Sequence, residues 1–304
     1  MLNGIGQGQG QGQGYDVQPT EQQMVNLKNT IVTNYLLGVT HQVINFTVQE
    51  VAKIASGKAD TMNPIQKKSI LSSLQSTCPN LRLFTRITLV ISDTSKLQGL
   101  SKLQNSFDVV AIQPLNEKAL QMTILNIECD LISLDLATKL PFFLKFKTIG
   151  SGIQKGIKFE INYSQIVSGT GGFVNDSITV NLVKKNWFNN TLQLIRSSRS
   201  RGLVVSSGAQ NPLQLRNSND ILILLKTLGL DNSRAKACIS MNPENVLVSG
   251  RLRMKSHKQV ISIGNEEFAD NSKEDVDKKN SAKGYKRKYN ETSTGRLLKK
   301  KKYN

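Results

Sequence analysis

Three arginines and three serines stand within six residues at Arg196-Ser197-Ser198-Arg199-Ser200-Arg201. Guanidinium groups bind phosphate oxygens through paired N–H donors, and hydroxyls can add contacts to a ribose 2′-hydroxyl, so this spacing suits a nucleic-acid backbone. Part of the charge also serves the negative end of a helix, because the run sits where a helical pattern gives way to a strand. A second stretch, Arg251-Leu252-Arg253-Met254-Lys255-Ser256-His257-Lys258, places five basic or potentially basic side chains in eight residues. Such a run reads by default as a solvated face, but two of them in one charged block, with Arg216 between them, turn the reading toward RNA. Aromatic residues make up 6% of the chain and none interleave these motifs, which predicts recognition of shape and backbone over base stacking.

Other chemistries find little support. The only histidines are His41 and His257, in neither a His-x-His nor a His-Glu-x-x-His arrangement, so a dedicated histidine metal site is not expected. Asp16, Asp93, Glu128, Asp130 and Asp135 lie near strand ends, where carboxylates commonly cap helices or pair with arginine, and no catalytic role is assigned to them. There is no Gly-x-Ser-x-Gly elbow. The turn Ser206-Ser207-Gly208-Ala209 follows a strand and could present backbone N–H groups to an anion, or be a tight turn without a ligand. Cys78, Cys129 and Cys238 have neither pairing parity nor metal-ligand spacing and read as reduced core thiols.

The formal charge is +18 over 304 residues, and it is unevenly spread. Residues 1–183 hold 15 Lys/Arg against 12 Asp/Glu, residues 184–258 hold 13 against 3, and residues 259–304 hold 12 against 7. The middle block is patterned as folded chain, which places a basic face on the domain itself as well as on the tail. No apolar run approaches the roughly 18 residues of a membrane span, and Met1 is not followed by a signal-like apolar stretch, so neither a membrane partner nor secretion is expected.

These motifs need a scaffold. Residues 1–14 contain a Gln-Gly repeat and read as a flexible extension, residues 15–258 as one domain, and residues 259–304, poor in apolar side chains, as a disordered basic tail. Strand-like runs fall at Tyr15–Val17, Gln42–Val48, Leu81–Ile91, Val109–Ile112, Leu131–Leu134, Ile157–Ile161 and Gly202–Ser206. Helical patterns run over Glu21–Leu37, from an Asn63-Pro64 cap to about Gln75, over Ile178–Arg196, over Asn219–Leu228 before Gly229, and after an Asn242-Pro243 cap. The alternation predicts a parallel sheet covered by helices on both faces. Seven strands are readable; pattern alone leaves a closed barrel and an open sheet equally open. In the tail, Lys286-Arg287-Lys288 and Lys299-Lys300-Lys301-Lys302 have the spacing of a bipartite nuclear-localisation address, which nonspecific RNA affinity explains almost as well.

The stretches Thr40–Thr47 (THQVINFT), Arg86-Ile87-Thr88, Phe107–Ala111 (FDVVA), Ile195–Gly202 (IRSSRSRG), Ser207-Gly208-Ala209 and Gly250–Lys258 (GRLRMKSHK) resemble the thirty-kilodalton protein subunit family of archaeal and eukaryotic ribonuclease P, its fungal members most of all. The resemblance implies a TIM-barrel-like fold of the polymerase and histidinol phosphatase type. It implies a non-catalytic subunit of ribonuclease P, which removes 5′ leaders from precursor tRNA, and of ribonuclease MRP, which processes precursor rRNA. In both particles the RNA would be catalytic and would use Mg²⁺, the protein binding no cofactor. Implied partners are those RNAs, a small ferredoxin-like subunit and other proteins of the particle, and precursor tRNA indirectly; the implied location is the nucleus and nucleolus. The candidate RNA contacts are Arg86, Lys155, Arg196, Arg199, Arg201, Ser207, Arg216, Arg251, Arg253, Lys255, His257 and Lys258. The alternatives are a metal-dependent phosphoesterase on the same barrel and a general nucleolar RNA-assembly factor.

Overall fold

Strand after strand pairs parallel with the one before it, so the sheet grows in one direction only. The computed structural model describes residues 2–3, 20–48, 63–93, 104–168 and 177–255. Chain contacts divide the protein into a unit of residues 1–262 and a second of residues 263–304; the second lies outside the described residues, with both basic clusters of the tail. The strands are β1 (Leu2–Asn3), β2 (His41–Val48), β3 (Arg82–Ile91), β4 (Val109–Pro114), β5 (Leu131–Ser133), β6 (Lys158–Asn162) and β7 (Leu203–Ser206), in the spatial order β1 to β7. The first is a surprise: Leu2–Asn3 pairs with Phe46–Thr47 inside the segment expected to be an extension, while the Tyr15–Val17 run lies outside the described residues.

The helices are α1 (Glu21–Leu36), α2 (Lys67–Leu74), α3 (Glu117–Asn126), α4 (Phe146–Gln154), α5 (Ser164–Ser168), α6 (Ser177–Ser198), α7 (Ser218–Thr227), α8 (Asn232–Ile239) and α9 (Met241–Lys255). None is long and apolar enough to cross a membrane among the described residues. Right-handed crossovers that always step the same way leave the crossover helices on one face, so helix cover of the other face falls to α9, which follows the last strand. Alternate strand residues confirm it. Ile44, Phe46, Leu83, Ile87, Val110 and Ile112 share a core with Leu27, Ile31, Ile70 and Ala119 of α1 to α3. Ile132, Phe159, Ile161 and Leu203 share another with Ile149 of α4 and Trp187 and Leu194 of α6. Trp187 is fully buried and its indole N–H donates to the Asn162 carbonyl at 2.8 Å.

The opposite face is concave and differently filled. At its lower end Val246 of α9 packs with Val109, Ala111, Leu131 and Val204. In register with Val109 and Val204, Arg86 of β3 reaches Glu160 of β6. In a flat sheet those strands would lie about 14 Å apart, and side chains stand roughly perpendicular to the sheet, so the pair forms only because the sheet curls strongly on itself. The curl does not become closure. Among the described residues β7 pairs only with β6 and β1 only with β2, so the architecture is an open half-barrel and the expected closed TIM-like barrel is overturned. After β7 the described chain supplies no eighth strand; it runs through a 3-10 turn at Pro212–Gln214 into α7, α8 and α9, the last of which fills the inner face instead.

Local chemistry sets the helix ends. Thr20 and Gln23 form a reciprocal capping box at α1, and Asn116, Asn217 and Asp231 side chains accept from backbone N–H groups at the starts of α3, α7 and α8. Two expected caps act otherwise. Asn63 accepts from Ile65 N–H and donates to Thr85 and Ser106, so it ties a pre-helical turn to β3 while α2 starts at Lys67. Asn242 lies inside α9 and donates to the Leu203 carbonyl at 2.7 Å.

Candidate nucleic-acid interface

The arginine-serine motif occupies the last turn of α6 and the link to β7. Arg196, Arg199 and Arg201 are exposed, whereas Ser197 and Ser198 are buried and donate their hydroxyls to the carbonyls of Leu194 and Ile195, both at 3.1 Å. The motif therefore offers its arginines to solvent and keeps those two serines for the helix end. Ser200 N–H donates to the Ile195 carbonyl at 2.9 Å, and Arg199 (φ 53°) and Ser200 (φ 58°) both take the left-handed backbone. That conformation costs non-glycine residues about 1 kcal/mol each or more, and a glycine would close this helix more cheaply.

Neighbouring elements turn the helix end into a recess. Leu192, Ile195, Arg196, Arg199 and Ser200 of α6 and its turn, Leu228 and Gly229 after α7, and Arg234 of α8 line a cavity of about 450 Å³. Arg234 donates to the Arg199 carbonyl at 3.2 Å, and its Nε stands 3.8 Å from the Asp231 carboxylate. The Arg199 guanidinium lies 4.1 Å over the Phe146 ring at the start of α4, a cation–π contact. Sequence reading missed Arg234 and Phe146, because each becomes relevant only when α8 or α4 packs against the end of α6.

The other candidates are placed differently. Arg86 is buried and bidentate on Glu160, its Nη2 at 2.7 Å from Oε2 and its Nη1 closer still to Oε1. Its Nε donates to Thr88 Oγ1 at 3.1 Å, Thr88 to Asn45 at 2.6 Å, and Asn45 to Thr47 at 3.0 Å; Ser206 Oγ lies 2.6 Å from Glu160 Oε1. Burial alone would raise the Glu160 carboxyl, but the Arg86 charge, with hydrogen bonds from Arg86, Ser133 and Ser206, outweighs it and holds the group below its ordinary value. Arg86 is thus a strut of the concave face, not an offered RNA contact. Arg253 is likewise internal: its guanidinium grips both Asp130 oxygens and donates to the carbonyls of Gln104 at 3.2 Å and Phe107 at 3.3 Å. One turn earlier, Gly250 permits α9 to lie against β4, since a Cβ there would stand 1.9 Å from the Asp108 carbonyl oxygen.

Lys155 is exposed but its ammonium donates to the carbonyls of Ile124 and Leu125 at 2.7 and 2.8 Å, closing the end of α3. Arg216 is exposed and donates to the Leu213 and Leu215 carbonyls at 2.9 and 2.8 Å. Ser207 accepts from Ala209 N–H at 3.4 Å within its own turn, where Gly208 (φ 57°) sits tightly on Asn162. Arg251 is half-buried, 5.9 Å from the Phe84 ring centre. Lys255 ends α9, with no side chain described, and His257 and Lys258 lie outside the described residues. No cluster of three His, Cys, Asp and Glu side chains able to hold a metal occurs among the described residues.

Sequence comparison with known proteins points to one family. The model of the RNase P subunit p30 family matches residues 13–255. The Saccharomyces cerevisiae "Ribonuclease P/MRP protein subunit RPP1" is 39% identical over 250 residues, covering 82% of this chain and 81% of its own. The Schizosaccharomyces pombe "Probable ribonuclease P protein subunit 3" is 28% identical over 78% of this chain and 92% of its own. Among solved structures, a chain of an archaeal ribonuclease P bound to mature tRNA shares the fold, with a TM-score of 0.54 at 15% identity over 79% of this chain and 94% of that one.

Proposed function

This chain belongs to the RNase P subunit p30 family, and from that premise we propose that it is a non-catalytic protein subunit of ribonuclease P and ribonuclease MRP that binds and braces their RNA. The carrying observation is the exposed arginine group at the end of α6, set in a block with ten more basic than acidic residues. In this reading the RNA breaks the phosphodiester bond with its own Mg²⁺, in precursor tRNA or precursor rRNA. The protein supplies fixed positive charge and shape. Arg196, Arg199 and Arg201 neutralise phosphates without leaving carboxylate partners inside the protein, while Arg86 and Arg253 keep rigid the scaffold that displays them. The Saccharomyces cerevisiae relative, a subunit of ribonuclease P and MRP, supports the assignment to both particles, and the Schizosaccharomyces pombe relative supports that to ribonuclease P. A nuclear and nucleolar location, a ferredoxin-like protein partner and a tail address at Lys286–Lys288 and Lys299–Lys302 belong to the same proposal.

The test is the triple variant Arg196→Ala, Arg199→Ala, Arg201→Ala, titrated with ribonuclease P RNA across a salt series. Each lost phosphate contact reduces the log–log salt slope by about 0.7 to 0.9, so the triple variant should lose about two units of slope or more and bind weakly at low salt. Unchanged affinity and slope would remove the arginine group from the RNA interface.

A further inference from the structure

We infer that the recess at the end of α6 is a pocket for a single unpaired nucleotide of RNA, its base stacked on the Arg199 guanidinium and its phosphate held by Arg196 and Arg234. The inference rests on the RNA-binding reading and narrows it from backbone contact to capture of an extruded base.

Four observations meet there. The cavity, about 450 Å³, has the size of sites that take small organic ligands and far exceeds what a lone phosphate needs. Its described walls combine three arginines with Leu192, Ile195 and Leu228, a mixture that fits a planar heterocycle against apolar carbon and an anion at the rim; no carboxylate is among them. Phe146 holds the Arg199 guanidinium from one side at 4.1 Å, so this long side chain is ordered before any ligand arrives and can present its other face to a base. Arg234 is also restrained, by its bond to the Arg199 carbonyl and by Asp231. Finally, Arg199 occupies a left-handed position that glycine fills without strain, the kind of local cost that accumulates at binding sites. A fully paired helix buries its base faces in its own stack, so only a bulged, looped or terminal nucleotide can enter.

The experiment uses the full chain and two blunt-ended RNA duplexes matched to within one phosphate, one fully paired and one carrying a single bulged 2-aminopurine. Wild-type protein should bind the bulged duplex about tenfold tighter, at the lower end of one base stack, and binding should raise the 2-aminopurine emission as the base leaves its neighbours in the stack. Phe146→Leu and Arg199→Lys keep every charge; each should abolish most of that preference and of the emission rise while leaving the salt slope unchanged. Equal binding of the two duplexes by the wild type, or a preference that survives both substitutions, overturns the pocket but leaves the RNA-binding reading intact. Failure to bind either duplex or ribonuclease P RNA overturns both.

Discussion

Inside the half-barrel, Arg86 directs all three of its guanidinium nitrogens to Glu160 and Thr88; at the end of α6, Arg196, Arg199 and Arg201 face solvent with no carboxylate partner described. The two regions use one side chain for opposite ends. Buried guanidinium groups that meet carboxylates in bidentate geometry convert charge into shape, because neither partner can leave without stranding the other. Exposed ones retain their charge for a partner outside the chain, at the cost of repelling one another. Arg253 belongs with the first group although its motif looked like the second, and the distinction lies in Asp130 and the carbonyls that surround it.

If that contrast is right, the largest effects fall inside. Arg86→Ala or Glu160→Gln should cost about 3–5 kcal/mol in urea unfolding, since each strands a buried group. The double change Arg86→Met with Glu160→Leu should cost clearly less than the two single losses summed, the mark of coupling. Acid should act on the same pair. The Glu160 carboxyl is held below its ordinary value of 4.5 in the folded protein, so its contribution is complete above that value and disappears as pH falls through the lower, folded one. Wild-type stability should therefore decline at acid pH more steeply than that of Glu160→Gln; parallel profiles would argue that Glu160 does not titrate with unfolding.

Gly250→Ala comes next, at about 2–3 kcal/mol, because the new methyl group would overlap the Asp108 carbonyl and push α9 off the inner face. A thermal melt within error of the wild type would sink that account. The outward group should behave oppositely: removing Arg196, Arg199 and Arg201 together should alter unfolding free energy by no more than about 0.5 kcal/mol per site. Arg199→Gly should even recover some backbone strain, and a clear destabilisation by it would blur the contrast between the regions. The smallest effect concerns thiols. Burial, then Asp130, pushes Cys129 up to about 12, and burial, then Asp231, pushes Cys238 up to about 11, so neither should react with a disulfide reagent at pH 8 until the protein is unfolded.

Much of the scaffold was legible before any coordinates. Six of the seven expected strands fall within two residues of β2 to β7, because runs such as Leu203–Val205 are apolar on both faces and bounded by turn residues, a local signal. Helix α4 was not legible, since Gly150 and Gly152 weaken its pattern; Gly152 is there because a Cβ would stand 3.2 Å from the Phe159 ring. The exposed arginines of the α6 motif were legible as a group, but Phe146 and Arg234 were not.

The amino-acid order by itself determined the parallel strand-helix series, the family and the concentration of positive charge in residues 184–258, all of which are properties of neighbours along the chain. It could not determine which arginines remain available. Glu160 lies 74 positions from Arg86 and Asp130 lies 123 from Arg253, so only the curled sheet and the docked α9 bring those charges together. The same dependence on distant pairing left closure undecided in the sequence, and the folded chain resolves it as an open half-barrel because no described strand joins β7 to β1.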